Sequence, residues 1–67
     1  MHLIINGSKL HVPQSVGTVS ELLSHLGLDQ KIVIVELNRH ILDKSLHRQT
    51  TITDGDTIEM VHFVGGG

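Results

Sequence analysis

One segment, "TVSELLSHLGL" (residues 18–28), constrains the fold more than any other, because it is the only stretch with a clear helical period. Val19, Leu22, Leu23 and Leu26 stand at i, i+3, i+4 and i+7, one apolar stripe along a short helix. Both ends carry stop signals. Thr18 with Glu21 three residues on makes a capping box. Gly27 suits the left-handed position after the helix, and Leu28 can fold back onto Leu23. The remaining apolar segments alternate with the period of strands. One helix with four or five strands cannot make a doubly wound sheet. It can make a mixed sheet with the helix laid on one face, an α+β roll.

The strands are punctuated clearly. Asn6-Gly7 between apolar runs predicts a two-residue type I′ hairpin, which places Leu3 opposite Leu10 and His2 opposite His11. Met1, Leu3, Ile5, Leu10 and Val12 then share the inner face, and His2, Ile4, Lys9 and His11 the outer. In "IVIVELN", Val33, Val35 and Leu37 alternate with Ile32, Ile34 and Glu36, and the charge marks the second set as outer. "NRH" turns the chain, and Ile41 and Leu42 begin a short return. The polar segment that follows has Leu46 and Ile52 as expected anchors. Asp54, Gly55 and Asp56 form a turn, and a last strand puts Ile58, Met60 and His62 on one face and Glu59, Val61 and Phe63 on the other. The first and last strands are expected to be central neighbours, with the helix as the crossover.

Composition narrows function. With 67 residues the chain makes one small domain. With one Phe, no Tyr and no Trp, its core must be Leu, Ile and Val. The absence of cysteine excludes disulfides, thiolate zinc sites and a cysteine-borne persulfide. A net charge of -2 argues against nucleic-acid binding. No apolar run approaches a membrane span, and the N-terminus is unlike a signal peptide, so a soluble, cytoplasmic protein is expected. The six histidines are scattered without a helical ligand pair. His2 and His11 across the hairpin could offer two metal ligands, where a zinc site takes three or four, so no metal site is expected. Asp54 and Asp56 read as turn residues, not an acid–base pair. No glycine-rich loop opens a helix, so no phosphate-binding loop is expected and ATP would belong to a partner.

The ordered set "LIINGSKL", "TVSELLSHLGL", "VIVELNRHIL" and "ITDGDTIEMVHFVGGG", ending on Gly66-Gly67, resembles the ubiquitin-like β-grasp sulfur carriers, and among them those of thiamin (thiazole) biosynthesis. The resemblance spans the whole chain. It implies a β-grasp domain over 1–64 and a flexible glycine tail over 65–67. It also implies that the chain is a protein co-substrate and not an enzyme. An E1-like adenylating enzyme would use ATP to convert the Gly67 carboxylate to an acyl-adenylate. Sulfur from a sulfur-donating enzyme would then leave a thiocarboxylate there, and thiazole synthase would take that sulfur. Gly66 would be the other half of the Gly-Gly motif, and Gly65 a spacer outside it. The chain itself would bind no cofactor and be monomeric when free.

The residues agree with that chemistry. A carboxylate is a poor acyl donor, and adenylation supplies a leaving group. Glycine lacks the Cβ that would obstruct approach of its carbonyl carbon to an α-phosphate. Ile4, Ile34, Val61 and Phe63 fall on the outer sheet face, an apolar group expected to be the partner-binding surface. Two other readings fit the same residues. One is the small sulfur-carrier subunit of molybdopterin synthase. The other is a non-covalent β-grasp interaction module, which needs no free Gly-Gly end.

Overall fold

The computed structural model describes residues 1–62. The expected boundary at 64/65, the tail glycines and Phe63 lie outside the described residues. The elements are β1 (His2–Ile5), β2 (Ser8–His11), α1 (Val19–His25), β3 (Val33–Leu37), β4 (His40–Leu42), a 3-10 turn η1 (Lys44–Leu46) and β5 (Thr57–His62). The five strands form one mixed sheet in the order β2-β1-β5-β3-β4. Among the described residues, only the β1–β5 pair is parallel. The first and last strands are thus central neighbours, and α1 lies in the connection between the two halves. This is the α+β, ubiquitin-like β-grasp architecture.

Local chemistry accounts for each turn. Asn6 (φ 50°) and Gly7 (φ 82°) form the left-handed pair that a two-residue hairpin requires. The resulting register is His2 with His11 and Leu3 with Leu10. At the start of α1 the Glu21 amide donates to Thr18 Oγ1 (3.2 Å), and the Thr18 amide donates to Glu21 Oε1 (3.1 Å). The same Oε1 also accepts from the Gly17 amide (3.1 Å), so one carboxylate closes the helix entry. At the other end Leu28 N–H donates to Leu23 C=O (2.8 Å) and Gly27 N–H to Ser24 C=O (3.0 Å). That bond pair around a left-handed Gly27 is a Schellman motif.

The core is aliphatic, as the composition requires. Leu3, Val12, Val19, Leu22, Val35 and Ile58 are fully buried, with Val16, Leu23, Val33, Ile52 and Met60 around them. Each fully buried side chain of this size contributes about 1.5–3 kcal/mol. Two expectations fail at the edges. Leu10 faces Leu3 across the hairpin yet stays exposed, because β2 is an edge strand with no neighbour beyond it. Leu46 is exposed and does not anchor its segment; the inward residue there is His47. The cause is local. Asp43 caps η1 through the Ser45 amide (2.9 Å), and the Ser20 amide of α1 donates to His47 C=O (2.9 Å). These bonds set the phase of a three-residue turn, in which a shift of one position changes which side chain points inward.

Candidate functional site

The expected carrier tail continues from β5, so the site is built on that strand. β5 is held on both sides, by β1 in parallel and by β3 antiparallel. β1 ends before β5 does, and Asn6 carries the pairing further. Its side chain accepts from the Met60 amide (2.7 Å) and donates to the Met60 carbonyl (3.1 Å). The carboxamide thereby replaces one peptide unit of the missing strand. The sequence reading credits Asn6 only with its turn. This second role depends on two segments 54 residues apart, and no local signal marks it.

The DGD turn at the other end of β5 is structural. Asp54 Oδ1 accepts from the His2 amide (2.6 Å), and Gly55 N–H donates to His2 C=O (2.7 Å). Asp56 accepts from the Thr53 amide (2.7 Å) and from Asn38 Nδ2 (3.0 Å). Both carboxylates are fixed by the chain's own donors, which agrees with their reading as turn residues.

Three of the four expected docking residues, Ile4, Ile34 and Val61, lie among the described residues, on the outer sheet face. Ile34 and Val61 are directly opposed across β3 and β5, and are 47% and 57% exposed. Their adjacency just before residue 63 makes one apolar surface at the end of β5. Ile4 is also outward and 40% exposed, but it pairs with Thr57. Four residues of β5 separate that position from Val61, roughly 13 Å along the strand. Ile4 therefore stands apart from the Ile34–Val61 pair. Phe63, Gly65, Gly66 and Gly67 lie outside the described residues.

Three features of this face were not singled out from the sequence. Ile41, 75% exposed, pairs with Glu36 on the edge strand β4, and Ile32 is exposed just before β3. The strand alternation already put Ile32 on the outer side. Glu36 and Glu59 also oppose each other across β3 and β5. Two like charges in that position repel and destabilise the sheet pair. The face thus combines an apolar pair with a neighbouring acidic pair, a surface complementary to a partner with apolar and basic groups.

His2 and His11 stack edge to face with centroids 4.9 Å apart. Among the described residues no cluster of three or more His, Cys, Asp or Glu could hold a metal ion. The Asp43 carboxyl is held below its ordinary range by the Ser45 amide and then by the Ser45 hydroxyl. Its role is the cap of η1. No helix of the described residues is long and apolar enough to cross a membrane.

Comparison with known proteins adds to this geometry. Residues 3–67 match the ThiS family. The chain is 43% identical over 65 residues to the sulfur carrier protein ThiS of Bacillus subtilis, covering 97% of this chain and 98% of that one. It is 45% identical over 67 residues to a thiazole synthase of Paramagnetospirillum magneticum, covering all of this chain but 20% of that protein. Its fold superposes on the crystal structure of the thiamine biosynthesis protein ThiS from Geobacter metallireducens with a TM-score of 0.82. That match has 40% identity and covers the whole of both chains.

Proposed function

The chain belongs to the ThiS family, the sulfur carriers of thiamine biosynthesis, and from that premise we propose that Gly67 is the atom-carrying residue. A partner adenylating enzyme of the E1-like class joins the Gly67 carboxylate to the α-phosphate of ATP and releases pyrophosphate. Hydrosulfide (HS⁻) delivered by a donor enzyme then attacks the Gly67 carbonyl carbon and displaces AMP, so that a thiocarboxylate remains at Gly67. Thiazole synthase is the acceptor in this reading; the likeness of the whole chain to part of one thiazole synthase supports that pairing. ATP and the sulfur donor are substrates of the partners, and the carrier works as a cytoplasmic monomer.

The observation that carries the docking part is the Ile34–Val61 pair at the end of β5. A partner seated on that pair holds the chain a few residues upstream of Gly67. Residues 65–67 then serve as a tail without side chains, with Gly65 as spacer and Gly66 passing through the narrow part of the partner's channel. Ordering such a tail costs roughly 1–2 kcal/mol per residue, which suits a complex that must dissociate. Phe63, two residues after Val61 in sequence, is assigned to the same docking surface, while the Glu36–Glu59 pair steers a basic partner surface.

The test is an intact-mass measurement after incubation with a matched activating enzyme, ATP and a sulfur source. Replacement of one oxygen by sulfur, localised to Gly67, is the expected result. No mass change with an enzyme that modifies another carrier in parallel would refute the assignment. Phe63→Ala should lower thiocarboxylate yield without altering the unfolding midpoint. Equal yield and equal partner affinity would remove Phe63 from the docking surface.

A further inference from the structure

The helix side of the sheet has a cleft of about 210 Å³ to which sulfur carriage assigns no role. Lys31, Lys44, Arg48, His47, Ser20 and Asp29 line it over an apolar floor. Three of the chain's five Lys and Arg residues therefore surround one small cavity. Lys44 and Arg48 are four residues apart across η1, and Lys31 approaches from the segment before β3. Asp29 also lines the cleft and offsets part of this charge, leaving a formal excess of two positive charges (three minus one). Asp43, four residues before His47, is already bonded to the Ser45 amide (2.9 Å) and hydroxyl (2.8 Å).

His47 is the second, independent observation. It is 7% exposed, and its Nε2 is buried with no hydrogen-bond partner among the described residues. A buried polar nitrogen left unpaired costs about 1–3 kcal/mol, so such groups are rare in folded proteins. The Ser20 amide donates to His47 C=O (2.9 Å), which fixes the residue at the cleft wall. The volume is below the usual range for drug-sized ligands, so an occupant must be small.

We propose that this cleft binds a tetrahedral oxyanion, the phosphoryl group of inorganic phosphate or of a small phosphomonoester. Lys31, Lys44 and Arg48 supply the positive charge, and His47 forms part of the wall. Val33, in the cleft floor, pairs with His62 at the end of β5. The anion thus sits on the inner side of the strand end whose outer side carries Val61. The inference rests on the cleft alone and stands whether or not Gly67 carries sulfur.

The experiment is an NMR titration of the isotopically labelled full chain at fixed pH and constant ionic strength. The probes are inorganic phosphate in one series and glycerol phosphate in another, with chloride as the compensating ion. The His47 ring nitrogens and the amides of Ser20, Lys44 and Arg48 should shift along one saturable isotherm. Saturation by phosphate alone assigns a free-anion site, and tighter saturation by glycerol phosphate assigns a small phosphorylated ligand. The double variant Lys44→Gln/Arg48→Gln, altered only at exposed positions, should keep its unfolding midpoint and bind at least about tenfold more weakly. Shifts that stay linear with both probes would overturn the proposal. So would an unchanged isotherm in the double variant.

Discussion

Replacing Asn6 by glycine isolates the contact that holds the end of β5. Asn6 does two things at once: it occupies a left-handed φ of 50°, and its side chain pairs with both backbone groups of Met60. Glycine keeps the first and deletes the second, since it adopts positive φ without strain. The bond from the Asn6 amide to Ile58 C=O (2.9 Å) survives in either case. Two hydrogen bonds are lost, at about 0.5–1.5 kcal/mol each, so Asn6→Gly should cost about 1–3 kcal/mol. Asn6→Ala also loses them and adds the left-handed penalty, roughly 1–2 kcal/mol more. For a domain of this size each kcal/mol lowers Tm by about 4–8 °C. Urea unfolding should show a lower midpoint at unchanged slope, with Asn6→Ala below Asn6→Gly. Hydrogen exchange should speed up first at the Met60 amide, the donor to Asn6 Oδ1. An Asn6→Gly protein as stable as the parent, with Met60 still protected, would refute the claim that this side chain extends the sheet.

Other predictions follow from single contacts. Arg39 sits at φ 72° in the β3–β4 turn; Arg39→Gly relieves a left-handed penalty of roughly 1–2 kcal/mol and adds about 0.5–1 kcal/mol of backbone entropy cost, so a net stabilisation of up to about 1 kcal/mol is expected in the urea midpoint. Glu59→Gln removes a like-charge pair with Glu36 and should raise stability by about 0.2–1 kcal/mol. The same change should slow association with the activating enzyme at low salt in stopped-flow measurements; an unchanged rate would remove the acidic pair from the docking surface. Val61→Ala should lower stability by no more than about 1 kcal/mol, the range of one cross-strand pair, yet weaken partner binding in a calorimetric titration. Asp43 has a depressed pKa in the fold, so its capping contribution is fully present above its ordinary value of 3.8 and is lost as pH falls through the lowered one. The Tm difference between the parent and Asp43→Asn should therefore shrink on acidification below that value. A difference independent of pH would assign the cap to geometry and not to charge.

Much of the fold was legible because its signals are local. A capping box, a Schellman glycine and an Asn-Gly turn each act within five or six residues, so the chain carries them wherever it folds. The alternation in β3 and β5 also told inner from outer residues correctly, since side chains on a strand have a period of two. Ile34 and Val61 were placed on one face by that rule alone. The rule does not say how far apart two outward residues on different strands lie. Ile4 shares the face but not the row, because the parallel β1–β5 register matches it with Thr57. The same limit hid the Glu36–Glu59 pair.

His47 and Asn6 show the other half of the division. The sequence by itself determined the element types, the helix ends, the hairpin turn and the aliphatic core, all of which follow from propensity and periodicity. Only the tertiary structure decided that His47 and not Leu46 turns inward, and that Lys31, Lys44 and Arg48 line one cleft with it. It alone decided that Asn6 completes a strand from the far end of the chain. Those outcomes depend on register between segments distant in sequence. A one-residue change of phase alters each of them and leaves the local signals unchanged.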